Sequence, residues 1–70
     1  MTESYKVVFS YAGEHQESLS ENLAYAEAVN IFNSSIEKLK ENEDAEFIEI
    51  WKMDADDNLI DTVLEHGFED

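Results

Sequence analysis

Ala24, Ala28, Ile31, Phe32, Ser35 and Leu39 recur at i, i+4, i+7, i+8, i+11 and i+15, which places them on one side of a helix. Around this stretch the apolar residues alternate, the pattern of strands. One amphipathic helix among strands restricts the chain to a two-layer α+β arrangement. The helix is expected over about 22–41. Ser18, Ser20 and Asn22 offer N-cap oxygens before it, and Ser18-Leu19-Ser20-Glu21 has capping-box spacing. Lys38 and Lys40 lie where the helix dipole favours cations. Tyr25, Val29 and Ile36 widen the apolar face beyond what one sheet surface requires.

Tyr5 to Tyr11 is rich in aromatic and β-branched residues and ends at Ala12-Gly13, so a strand over about 5–11 and a turn are expected. A return strand over 15–19 would complete a hairpin. Residues 47–53 and 59–64 form a second hairpin across the acidic loop from Asp54 to Asn58, and 66–70 reads as a loose acidic tail. The expected fold is α+β: a small antiparallel sheet of three or four strands, in the chain order β-(β)-α-β-β, with the helix packed on one face. Both sides of that sheet carry large apolar groups. Trp51, Met53 and Val63 are therefore assigned to a second face, a candidate contact surface.

Seventy residues form one domain, below the size at which a single core gives comfortable stability. The chain has no Cys, so disulfides cannot supplement that core, and no Cys/His cluster suggests structural zinc. A homodimer burying the second face is the simplest support. The N-terminus lacks a basic region followed by an apolar run, and no segment approaches a membrane span, so a cytoplasmic protein is expected.

Eighteen Asp and Glu stand against four Lys, and the net charge is −14. A magnitude of about 2–8 suffices to keep a small domain soluble, so the excess asks for a reason. Such a surface repels nucleic acid rather than binding it. Asp54, Asp56, Asn58 and Glu65 fall at positions 1, 3, 5 and 12 of a calcium loop, but Leu59 occupies the hinge position that needs glycine, and the flanks alternate like strands. No metal site and no cofactor are assigned. His15 and His66 lack ligand-spaced partners, and Ser34-Ser35 has no base or glycine elbow nearby. With no phosphate loop or dinucleotide fingerprint either, no catalytic residue is assigned and the chain is read as a non-enzyme.

What remains is the placement of the acids. Glu37, Glu41, Glu43, Asp44 and Glu46 mark the helix end and its loop; Glu49, Asp54, Asp56, Asp57 and Asp61 mark the second hairpin. Carboxylates four apart on a helix stand about 5–6 Å apart, and alternate strand residues about 6.5–7 Å apart. These intervals are comparable to those between neighbouring phosphates along a nucleic-acid strand. A rigid body studded in this way could occupy the DNA-binding groove of a basic protein. The alternative is an interaction module that binds through the apolar face around Trp51, with the acids serving solubility.

In its layout, VVFSYAG, then AEAVNIFNSSIEKL, then FIEIWKMDADDNLID, and in its acidity, the chain resembles the small host-takeover proteins of lytic bacteriophages, in particular the DNA mimics. Within these it is most similar in character to the phage inhibitors of the histone-like nucleoid protein HU. The resemblance implies a partner that is a basic DNA-binding protein, with an HU-like protein first, and action in the bacterial host cytoplasm. It transfers no individual residue.

Overall fold

The computed structural model of the protein describes residues 3–13 and 15–68. In chain order its elements are β1 (Ser4–Tyr11), β2 (His15–Leu23), α1 (Tyr25–Leu39), β3 (Ala45–Met53) and β4 (Leu59–Gly67). All strand pairings are antiparallel, and the spatial order is β2-β1-β3-β4. The fold is thus a small α+β one with a four-stranded antiparallel sheet. Spatial order departs from chain order because the two hairpins are joined along β1 and β3. The strands richest in aromatic and β-branched residues therefore take the centre, and the more exposed β2 and β4 form the edges.

Register settles which strand faces belong together. Val7 lies opposite Ile50, and Phe9 opposite Ile48. Val7, Ile48 and Ile50 are fully buried, and Ala28 and Phe32 of α1 join them in one core cluster, with Tyr5, Leu23, Ile36 and Leu64 packed around it. The helical periodicity thus delivers its central residues to the core. Its first positions do not follow: Ala24 and Tyr25 are exposed, with Tyr25 held edge-on to Tyr5 at 5.2 Å.

The helix is shorter than 22–41, and β2 longer than 15–19. Ser18, Ser20 and Asn22 are in β2, where the chain stays paired to β1 as far as Leu23 opposite Tyr5. Asn22 is a pivot, with φ 56°, a left-handed conformation that Asn tolerates. The helix is capped instead by Glu27, whose Oε1 accepts the Ala24 N–H at 3.0 Å. Ala24 has no side-chain oxygen with which to reciprocate. The loose tail is also revised. His66 and Gly67 belong to β4, opposite Ile48 and Phe47, and the Phe68 N–H donates to the Glu46 carbonyl at 2.9 Å. Residues 69–70 lie outside the described residues.

At the first hairpin turn Ala12 and Gly13 have φ 50° and 85°. Two successive positive φ values suit Asn-Gly better than Ala-Gly. Ala12→Asn keeps the N–H that donates to the Asp44 carbonyl at 2.9 Å. It should add about 1 kcal/mol of stability by relieving the left-handed alanine, measurable as a melting temperature raised by about 4–8 °C.

Candidate functional site

Most of the assigned carboxylates fall into two groups at opposite ends of β3; Glu37 lies in α1 and Glu49 midway along β3. The loop after α1 carries Glu41, Glu43 and Asp44, and Glu46 follows at the start of β3. Asn42 shapes this loop: its Oδ1 accepts the Asp44 N–H at 2.9 Å, and its carbonyl accepts the Ala45 N–H at 3.1 Å. The turn of the first hairpin is fastened beside it, because the Gly13 N–H donates to Glu46 Oε2 at 2.8 Å.

Beyond the other end of β3, Asp54 organises the second hairpin loop. Its Oδ1 accepts the backbone N–H groups of Asp56 and Asn58, both at 2.9 Å, and the Asp57 N–H donates to the Asp54 carbonyl at 3.1 Å. Asp57 has φ 65°, another left-handed residue of a type that accepts it. Asp54 is therefore spent on holding the loop, while Asp56 and Asp57 are exposed beside it. Eight residue steps along the chain separate Glu46 from Asp54, about 26 Å at strand rise.

The Asn58 N–H, and then those from Asp56 and the Asn58 side chain, hold the Asp54 carboxyl below its ordinary value, against a smaller opposing effect of burial. A depressed carboxyl contributes stability that is complete above its ordinary unfolded value and is lost as pH falls through the lowered one. Amide resonances of Asp56 and Asn58 should accordingly keep their Asp54-dependent positions until the pH falls below the ordinary carboxylate range. Asp54→Ala should release both amides at neutral pH.

The lysines sharpen the picture. Lys6 pairs with Glu21 at 4.0 Å, Lys40 with Glu37 at 3.0 Å and Lys52 with Glu3 at 3.3 Å. Lys52 is raised above its ordinary value, first by the Glu3 hydrogen bond. Of these acids only Glu37 was assigned to the surface, and its charge is offset. Glu41, Glu43, Asp44, Asp56, Asp57 and Asp61 make no side-chain hydrogen bond or ion pair among the described residues.

Glu49 stands between the two ends on the sheet face away from the core cluster. It lies directly opposite Glu65, the last position of the calcium spacing, and its Oε1 accepts the Trp51 Nε1–H at 3.2 Å. Like charges facing each other across a ladder are unfavourable. This pairing also takes the calcium spacing apart, since Glu65 lies along β4 in the sheet while Asp54 serves the loop. Among the described residues no group of three His, Cys, Asp or Glu is placed to hold a metal ion.

Trp51, Met53 and Val63 do not form the single exposed patch expected of them. Met53 is buried within the chain at 6% exposure, and Val63 packs against the core that contains Ala28 and Phe32. The reason for Val63 is a register shift in β4 between the partners of Ile50 and Trp51, which inverts the facing that simple alternation assigns. Trp51 is half-buried with Lys6 Nζ 5.7 Å above its ring. Leu59 and Ile60, about half exposed, are the apolar groups that β4 does present to solvent.

The two histidines are exposed and rest on aromatic rings, His15 on Tyr11 at 5.5 Å and His66 on Phe68 at 5.0 Å. No helix among the described residues is long and apolar enough to cross a membrane. Compared with protein-family models, with curated proteins and with solved structures, the chain matches none.

Proposed function

We propose that the protein is a DNA-mimicking inhibitor that occupies the DNA-binding surface of a basic host protein, an HU-like nucleoid protein being the first candidate, in the cytoplasm of a bacterial cell. The observation that carries this reading is the presence of unengaged carboxylates beyond both ends of β3, whose boundary residues Glu46 and Asp54 lie about 26 Å apart at strand rise, while three of the four lysines pair with Glu3, Glu21 and Glu37. A basic groove that follows a duplex meets rows of anions fixed on a stiff support. The sheet and the two hydrogen-bonded loops provide such a support. The spacing corresponds to about eight base-pair rises of 3.4 Å.

The reaction required of the chain is competition, and no residue needs to do chemistry. We take the acting form to be a homodimer, because one core at this chain length gives little margin. Sedimentation at micromolar concentration should then return twice the 8.1 kDa chain mass. With Met53 and Val63 inside the protomer, the dimer surface would centre on Trp51 and Leu59.

The direct test mixes the protein with a purified HU-type protein bound to labelled duplex. Displacement of the duplex is the expected result, and retention of the duplex at a large excess of the acidic chain would sink the proposal. The partly accessible Trp51, beside the exposed Leu59 and Ile60, supports a second reading, an interaction module in which the acids serve only solubility. The two part at Trp51→Gln: a folded variant that still displaces DNA favours the mimic, and one that binds no partner favours the module.

A further inference from the structure

A groove of about 260 Å³ runs between α1 and the edge strand β2, lined by Leu19, Ile31, Ser35, Lys38 and Leu39. The proposed competition with DNA makes no use of it. Two features of the sequence create it. In β2 the register jumps from Ser20 opposite Val7 to Ser18 opposite Val8, so Leu19 has no partner in β1 and keeps 37% exposure. On α1, Ile31, Ser35, Lys38 and Leu39 are spaced i, i+4, i+7 and i+8, one side of the helix. Three aliphatic side chains thus border a groove that also has Lys38 in its lining. The other lysines are ion-paired, whereas Lys38 makes no ion pair among the described residues despite the abundance of acids.

We propose that this groove receives the C-terminus of a partner chain ending in an aliphatic residue. The terminal side chain lies among Leu19, Ile31 and Leu39, the α-carboxylate meets Lys38 Nζ, and the Ser35 hydroxyl is a second donor. The chemistry of the groove favours a terminus over an internal acidic residue. Lys38 and Leu39 both line the groove, so a cationic residue and apolar surface border the same small space. A chain terminus carries a carboxylate and an apolar side chain on the same Cα, whereas Asp or Glu offers the charge without the aliphatic group.

The electrostatics give this site a distinctive signature. A net charge of −14 opposes the approach of any anion, and that long-range repulsion is screened by salt over about 10 Å at 0.1 M. The contact pair with Lys38 is screened less. Affinity for the peptide should therefore rise as salt is added, the opposite of the dependence expected for a basic partner.

The test uses the full-length protein and a short peptide ending Ser-Val-Leu with a free carboxylate, compared with the same peptide amidated at its C-terminus. Amide resonances of Leu19, Ile31, Ser35, Lys38 and Leu39 should shift with the free acid, and the amidated peptide should bind about two- to fivefold more weakly, the size of one exposed ion pair. Lys38→Gln should bring the two peptides to equal affinity. Equal binding of acid and amide to the unaltered protein, shifts centred elsewhere, or no shifts at millimolar peptide would each overturn the proposal. None of these results depends on whether the protein displaces DNA.

Discussion

Reversal of four exposed carboxylates, Glu41→Lys and Glu43→Lys at one end with Asp56→Lys and Asp61→Lys at the other, is expected to weaken the complex with a basic DNA-binding protein by about a hundredfold or more. Each exposed pair contributes about 0.2–1 kcal/mol, and reversal replaces attraction with repulsion. The choice of positions follows from the hydrogen bonds. Asp54 accepts the Asp56 and Asn58 amides, Glu46 accepts the Gly13 amide, and Glu49 accepts the Trp51 indole, so changing these would disturb the loops as well as the charge. Asp57 has φ 65°, a conformation that lysine resists. The four selected side chains are exposed and make no such bonds among the described residues. Self-repulsion falls overall, whereas Asp61 lies directly opposite Lys52 and its reversal sets two lysines face to face, so the variant should melt close to the parent temperature. The matched amide set, with Gln and Asn in place of Glu and Asp, should lose less. Binding of the parent should also fall steeply as the screening length shrinks from about 10 Å at 0.1 M salt to about 3 Å at 1 M. An affinity indifferent to salt would remove electrostatic competition as the mechanism.

The second large effect concerns the core. Ile50 is fully buried, opposite Val7 on one side and Leu64 on the other, in the cluster that Ala28 and Phe32 complete. Ile50→Ala should cost about 2–5 kcal/mol through lost burial and the cavity left behind. A single core of this size rarely supplies more than about 3–5 kcal/mol. The variant should consequently be largely unfolded at 25 °C by circular dichroism, and Ile50→Val, at about 1 kcal/mol, should fold with a lowered midpoint in urea. A cooperative transition for Ile50→Ala at the parent midpoint would show that stability resides elsewhere.

The two central strands and the middle of the helix were legible in the residues because burial and period agree there: Val7, Ile48 and Ile50 meet Ala28 and Phe32. The edges were harder. Gln16 to Asn22 carries the polar residues of a capping segment, and only pairing with β1 makes it a strand. Sequence periodicity cannot anticipate tertiary pairing of that sort, nor the shift that turns Val63 toward the core. The acids were legible as a quantity and as two runs. Their division into groups that hold loops and groups that remain unengaged required the hydrogen bonds, since Asp54 and Asp56 look equivalent in the sequence.

Each edge strand of the sheet carries two register shifts, β2 against β1 and β4 against β3. An uninterrupted nine-residue edge would offer a template on which further chains could add by main-chain pairing, toward filaments of unlimited length. Interrupted twice, neither margin of this sheet offers such a template, and like charges on approaching copies oppose the same event. Copies of this chain can in this way remain discrete particles instead of joining edge to edge.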